Sequence, residues 1–83
     1  MSETKEIRLG YFAVLREQAG CDGEVLETTA QTPLELYSEV QAKNGFSIDK
    51  DALRVAINGD FAEFDASLSN EDEVVFIPPV AGG

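Results

Sequence analysis

The chain has 83 residues, of which sixteen are acidic and six are basic, giving a formal charge of −10. This charge disfavours binding to nucleic acid or to an anionic membrane. It suits a basic protein partner, and the alternative is that it serves solubility alone. With one cysteine and no histidine, the chain cannot build a Cys/His zinc cluster or a Ser/His or Cys/His catalytic arrangement.

At this length we expect one domain with a small core. The single cysteine, Cys21, cannot close an internal disulfide, and no signal peptide or long apolar run is visible. We therefore expect a cytoplasmic protein. No flanking cation or second cysteine activates Cys21, so we interpret it as a bystander.

The first predicted strand begins near Glu6 and shows clear alternation. Apolar residues recur at every second position, namely Ile7, Leu9 and Tyr11. Because successive side chains of a strand point to opposite faces, this pattern predicts one buried and one polar face. Phe12 falls on the polar side. One exposed aromatic residue is unremarkable by itself, so a functional role for Phe12 depends on which other residues share that face.

A short helix and a second strand follow. Residues 13–20 predict the helix, with Gly20 as its stop. Residues 21–23 predict a turn, and residues 24–29 predict a strand that pairs with the first as a hairpin-like unit.

The main helix is predicted over residues 33–44. Thr32 can cap it, Pro33 suits the first helical position, and Glu35 completes a capping box. Asn44 and Gly45 end it, and the following aromatic residue can pack back on its last turn. The predicted inward residues are Leu36, Tyr37 and Val40, with the stem of Lys43 alongside and Phe46 as the closing aromatic residue.

The rest of the chain predicts three further strands. Residues 53–57 form one of them, with Val55 and Ile57 directed inward. Asn58-Gly59 predicts a type I′ hairpin turn, which requires positive φ at both positions. Residues 60–62 return as a short strand. Residues 73–77 are a continuous run of strand formers, as expected of a strand covered on both faces.

The last residues of the sequence predict a thin, stiff tail. Pro78 and Pro79 have no N–H for a sheet and favour an extended exit. Gly82 and Gly83 lack a Cβ, so another protein could approach their backbone closely. We predict a domain over residues 1–77 and an extended tail over residues 78–83, against the alternative of a frayed terminus. The residues predicted to insert into another protein's active site are Val80, Ala81, Gly82 and Gly83.

Runs of strands around one long helix predict the α+β class, with a mixed sheet of about five strands and the main helix on one face. The uniformly apolar last strand favours a central position. Since the strands at both ends of the chain would then be central, the pattern predicts a β-grasp arrangement.

Three segments resemble a known family, the ubiquitin-like sulfur carriers that form the small subunit of molybdopterin synthase. They are Tyr-Phe-Ala-Val-Leu-Arg-Glu at 11–17, Leu-Arg-Val-Ala-Ile-Asn at 53–58, and Asp-Glu-Val-Val-Phe-Ile-Pro-Pro-Val-Ala-Gly-Gly at 72–83. The resemblance covers nearly the whole chain after Lys5, and no departure touches the tail.

The resemblance implies a carrier without catalytic groups of its own. An ATP-dependent activating enzyme would adenylate the Gly83 carboxylate, and a sulfur donor would convert it to a thiocarboxylate. The tail would then enter the large synthase subunit, in a heterotetramer, and give sulfur to a cyclic pyranopterin precursor. No cofactor would be bound stably, and ATP would be used by the activating partner.

The resemblance also implies a partner-binding surface formed by Phe12, Phe61 and Ile77. The alternative is that Phe61 or Ile77 completes the core of a small protein. Arg16 and Arg54 could reach acidic groups on a partner, although surface charges are usually only solvated.

Three other functions remain open from the residues. The chain could be a sister carrier for thiamine synthesis or tRNA thiolation, or a protein modifier joined through Gly83 to a lysine. It could also be a passive β-grasp interaction module, for which removal of Gly83 would leave the function intact.

Overall fold

The computed structural model describes residues 4–79. Its elements in chain order are β1 (Lys5–Tyr11), α1 (Val14–Ala19), β2 (Gly23–Thr28), α2 (Pro33–Asn44), a 3₁₀ turn (Lys50–Ala52), β3 (Arg54–Ile57), β4 (Asp60–Ala62) and β5 (Glu73–Ile77). None of the helices in this part of the chain is long and apolar enough to cross a bilayer.

The five strands form one mixed sheet in the order β2-β1-β5-β3-β4. β1 and β5 are parallel neighbours, and the other three pairings are antiparallel. The strands nearest the two ends of the chain therefore lie side by side in the centre, which confirms the predicted α+β, β-grasp fold. The hairpin-like pairing of β1 with β2 is also confirmed.

The core lies on one face of the sheet, between the strands and the two helices. Ile7, Leu9 and Tyr11 are buried there as predicted, and α2 contributes its inward stripe. The largest fully buried side chains of the core are Tyr37, Phe76, Ile7, Leu15, Leu36, Val40, Val55, Val74 and Pro33. Both helices supply residues to this one cluster, so both cover the same face.

The opposite face of β5 corrects one prediction. Val74 and Phe76 are fully buried, but Val75 and Ile77 are only half-buried. The continuous apolar run suggested cover on both faces, and this was wrong. No helix of the described chain packs over Val75 and Ile77, because α1 and α2 both bury their residues in the cluster around Phe76.

The ends of α2 follow the predicted chemistry with one difference. Thr32 Oγ1 accepts a hydrogen bond from the Glu35 N–H at 3.3 Å, and Pro33 occupies the first turn. The Glu35 carboxylate, however, accepts from the N–H of Gln31 at 2.9 Å, one residue before the capping box predicts. At the other end, Gly45 adopts a left-handed conformation with φ 70° and Phe46 is buried, as predicted.

The Asn58-Gly59 turn has positive φ at both residues, 52° and 90°, which confirms the hairpin prediction. The side chain of Asn58 has a second role that the sequence did not indicate. Asn58 Nδ2 donates to Asp72 Oδ1 at 2.9 Å, and Asn58 Oδ1 accepts from the Glu73 N–H at 2.9 Å. The turn is thereby tied to the start of β5.

Candidate functional site

The face of the sheet opposite the helices, here called the open face, is the candidate site. One cross-strand row on it runs Gly10, Val75, Ala56, Phe61, as the strand registers show. The first three side chains are small or half-buried, whereas Phe61 is 70% exposed. An apolar surface of this kind on a small domain indicates a contact surface for another protein.

Phe61 lies on β4, at the edge of the sheet, and does not complete the core. The guanidinium carbon of Arg54 lies over its ring, 5.8 Å from the centroid. Arg54 is also directly opposite Ile77 across the β3–β5 pairing. Arg54 therefore lies between two of the three residues predicted to bind a partner.

Phe12 and Ile77 meet in a separate groove beside the end of β5. Phe12 is 52% exposed. The groove has a volume of about 580 Å³ and is lined almost entirely by apolar groups, namely Phe12, Ala13, Val14, Ile48, Ile77, Pro78 and Pro79. The structure thus brings Phe12 and Ile77 together directly and connects them to Phe61 through Arg54.

The start of the predicted tail borders this groove. Pro78 is buried and Pro79 is exposed, so the chain reaches the surface within two residues of the end of β5. Both prolines line the groove. Val80, Ala81, Gly82 and Gly83, which we predicted to insert into a partner, lie outside the described residues.

Two neighbouring side chains near the N-terminal end of β2, Tyr11 and Glu24, have shifted pKa values, and Lys43 completes their hydrogen-bonded cluster. Glu24 accepts from Lys43 Nζ at 2.6 Å and from the Tyr11 hydroxyl at 2.8 Å. The hydrogen bond from Lys43 is the main cause that lowers the pKa of Glu24, against the opposing effect of burial. Burial, with a smaller contribution from the hydrogen bond to Glu24, raises the pKa of Tyr11 well above its usual value.

This cluster joins β1, β2 and α2 and does not belong to the open face. Tyr11 is one of the buried residues of the helix-covered face. We therefore interpret the shifted pKa values as consequences of structural hydrogen bonding and not as signs of acid–base catalysis. Within residues 4–79 no group of three or more Asp, Glu, Cys or His side chains is placed to hold a metal ion.

The sequence did not single out two parts of the candidate site. Val25 on β2 is 60% exposed and opposite Arg8 in register, so it belongs to the open face. Its alternation with the half-buried Leu26 could have indicated this. Ile48 contributes to the groove from the segment after α2, and no periodicity in that segment pointed to it.

A family model described as the ThiS family matches residues 9–83 of the chain. Two curated relatives share the name molybdopterin synthase sulfur carrier subunit. The one from Haemophilus influenzae is 36% identical over 76 residues, which cover 88% of this chain and 94% of the relative. The one from Escherichia coli is 31% identical over 80 residues, which cover 93% of this chain and 99% of the relative.

Solved structures show the same fold. The putative molybdopterin converting factor, subunit 1, from Pyrococcus furiosus has a TM-score of 0.75 at 27% identity, covering 92% of this chain and 99% of that chain. A chain from the complex of subunits 1 and 2 of the molybdopterin-converting factor of Helicobacter pylori has a TM-score of 0.63 at 23% identity. That alignment covers 94% of this chain and 99% of the other, and it shows a shared fold.

Proposed function

The chain belongs to the ThiS family of ubiquitin-like sulfur carriers, and on this premise we propose that it is the sulfur carrier of a molybdopterin synthase. The observation that carries the proposal is the extent of the match to two curated carrier subunits, which spans 94% and 99% of their length. The family model also continues through the Gly-Gly sequence to residue 83.

The proposed reacting group is the carboxylate of Gly83. A terminal carboxylate has a pKa of about 3.5, so it is ionised at neutral pH and resists attack by nucleophiles. In the proposed first step, this carboxylate attacks the α-phosphate of ATP on the activating enzyme and displaces pyrophosphate. The resulting acyl-adenylate has lost the negative charge on the carbonyl group and has AMP as its leaving group.

Sulfur enters in the second step. A donor at the oxidation level of sulfide attacks the carbonyl carbon, a C–S bond forms, and AMP leaves as the C–O bond breaks. The product is a thiocarboxylate on Gly83, which is ionised and nucleophilic at neutral pH. Transfer of this sulfur to a carbon of the cyclic pyranopterin precursor, followed by hydrolysis of the acyl group, returns the carboxylate.

The large subunit of molybdopterin synthase is the proposed partner, in a heterotetramer. We propose that it covers Phe12, Phe61 and Ile77 while Val80, Ala81, Gly82 and Gly83 enter its active site. The exposure of Phe12 and Phe61 supports the first part. The position of Pro79 at the surface, beside the apolar groove, supports the second, because the next residues start next to the proposed contact surface.

Mass spectrometry of the purified chain, incubated with ATP, a sulfur donor and the activating enzyme, tests this chemistry. We expect a mass gain that matches one oxygen replaced by sulfur, localised to Gly83. A variant that lacks Gly83 should show no gain and should not support conversion of the precursor by the large subunit.

Mass spectrometry of the chain taken from its native cell, together with functional assays of the variant that lacks Gly83, separates the alternatives. Branched peptides that join Gly83 to a lysine would indicate a protein modifier. A thiocarboxylate that serves thiamine synthesis or tRNA thiolation, but not the pyranopterin precursor, would indicate a sister carrier. Full function without Gly83 would indicate a passive interaction module and would overturn the proposal.

A further inference from the structure

Arg54 occupies a position that the proposed function does not yet explain. It is exposed on β3, faces Ile77 across the β3–β5 pairing, and holds its guanidinium group over the ring of Phe61 at 5.8 Å. A partner that covers both Phe61 and Ile77 must therefore also cover Arg54.

The charge of Arg54 is not neutralised within the described part of the chain. The three ion pairs among residues 4–79 join Arg16 to Asp22, Lys43 to Glu24 and Lys50 to Asp51. Arg54 is in none of them, although Asp51 and Glu63 line the same surface cavity. Lys5 and Arg8 are in none of these ion pairs either, so what distinguishes Arg54 is its position beside Phe61 and Ile77.

Covering Arg54 without a new acceptor would oppose binding. Removing water from a charged group that has no partner is costly, and the cost falls only when the group is paired and hydrogen-bonded. The Phe61 ring occupies one side of the guanidinium group and leaves its N–H groups available. A carboxylate is the acceptor that best matches a guanidinium group, because two parallel N–H···O bonds can form.

We propose that Arg54 is a specificity-determining residue of the open face, and that the partner presents an Asp or Glu carboxylate to it within the apolar surface that packs on Phe61 and Ile77. This inference rests on the proposed function, because it takes the large subunit of molybdopterin synthase as the partner. The inference adds to that function a specific contact, an ion pair between Arg54 and a carboxylate of the partner, near the centre of the interface.

The overall charge of −10 does not conflict with an acidic group on the partner. The net charge acts through solvent over distances up to about a Debye length and affects the rate of encounter. The contact at Arg54 acts at hydrogen-bond distance after docking. A partner that is basic around its rim and carries one carboxylate opposite Arg54 satisfies both conditions.

The test compares wild type with Arg54→Met in calorimetric titrations with the large subunit from the same organism. Methionine keeps an apolar stem against Phe61 and removes the charge. If a partner carboxylate faces Arg54, the variant leaves that carboxylate buried and unpaired, and we expect the affinity to fall about tenfold or more. Equal or tighter binding by Arg54→Met would show that Arg54 is only packed against Phe61, and would overturn the inference.

Lys50→Met is the matched control. Lys50 is exposed on the 3₁₀ turn, outside the open face and the groove, and pairs with the neighbouring exposed Asp51. The control removes the same charge, so we expect an affinity change of less than about twofold at physiological salt. An equal loss in both variants would indicate a general effect of charge and would also overturn the inference. Unchanged denaturation midpoints in both variants show that the fold is intact.

A double-mutant cycle identifies the partner group. Each Asp and Glu on the apolar surface of the large subunit is changed to Asn or Gln, and one of these changes should weaken binding to wild type but not to Arg54→Met. No coupled carboxylate would contradict the inference. The two proposals fail differently: if wild type does not bind the large subunit at all, the proposed function is wrong and the inference falls with it. If wild type binds and Arg54→Met binds equally well, only the inference is wrong.

Discussion

The two faces of β5 differ although they belong to the same five-residue strand. Val74 and Phe76 are fully buried under the helices, whereas Val75 and Ile77 are half-buried on the open face. All four residues are apolar, so composition does not distinguish them. The difference lies in what covers them, because both helices of the described chain pack on one side.

The two faces of this strand therefore differ in how much they contribute to the stability of the isolated chain. Side chains on the helix-covered face contribute to stability by leaving water, and they do so in the isolated chain. Side chains on the open face leave apolar surface in contact with water in the isolated chain, and under the proposed function this surface is buried when the partner binds. Substitutions on the two faces should therefore change different measurements.

The largest expected effect is on the covered face. Phe76→Ala should lower the free energy of unfolding by about 3–5 kcal/mol, because it removes a fully buried ring that contacts Tyr37 and Phe64. Denaturant titration followed by circular dichroism measures this. The matched control is Val75→Ala, the neighbouring residue on the open face, which should cost less than about 1.5 kcal/mol. Equal losses at the two positions would remove the distinction between the faces.

The second effect is on the open face and concerns binding. Phe61→Ala should weaken binding to the large subunit by about 2 kcal/mol, roughly thirtyfold, because an exposed aromatic anchor and its contact with Arg54 are lost. The free energy of unfolding should change by less than about 0.5 kcal/mol. Leu34→Ala, which alters an exposed apolar residue of α2, should leave the affinity unchanged. Normal binding by Phe61→Ala would show that the interface assignment is wrong.

The smallest expected effect concerns the contribution of Glu24 to the free energy of unfolding. The depressed pKa of Glu24 means that its ionised form stabilises the fold above the unfolded value near 4.5. This stabilisation is lost as the pH falls through the lower, folded value. We expect Glu24→Gln to lower the free energy of unfolding by about 1 kcal/mol at pH 7. The difference from wild type should shrink below pH 4.5.

Glu27→Gln provides the control for this pH dependence. Glu27 is exposed on the same strand and faces Glu6 in register, so it loses the same charge without losing the contact with Lys43. Because this change also removes the repulsion from Glu6, we expect Glu27→Gln to be no less stable than wild type at pH 7. A curve for Glu24→Gln that stays parallel to wild type down to pH 3 would show that the Lys43–Glu24 contact does not stabilise the fold.

Much of the fold could be predicted because local chemistry and tertiary structure agree. The alternation of Ile7, Leu9 and Tyr11 predicted the buried face of β1, and Asn58-Gly59 predicted a turn with positive φ at both residues. The position of β5 in the centre of the sheet followed from its apolar run. These features depend on neighbours in sequence or on the burial of a whole segment.

The candidate site was only partly predictable. Resemblance gave Phe12, Phe61 and Ile77 as contact residues, and in the structure Phe12 and Phe61 are exposed and Ile77 is half-buried. The resemblance did not indicate that Phe12 and Ile77 share a groove with Ile48, or that Arg54 connects Ile77 to Phe61. These contacts join residues from different elements, and their distances are set by strand register and not by spacing along the chain.

The sequence by itself determined the elements and their order, because alternation, capping residues, glycine and proline act within a few residues. Only the tertiary structure decided which apolar residues are buried in the core and which remain exposed. The physical reason is that burial depends on what packs against a side chain. Val75 and Phe76 are adjacent in sequence, but only Phe76 has a helix above it.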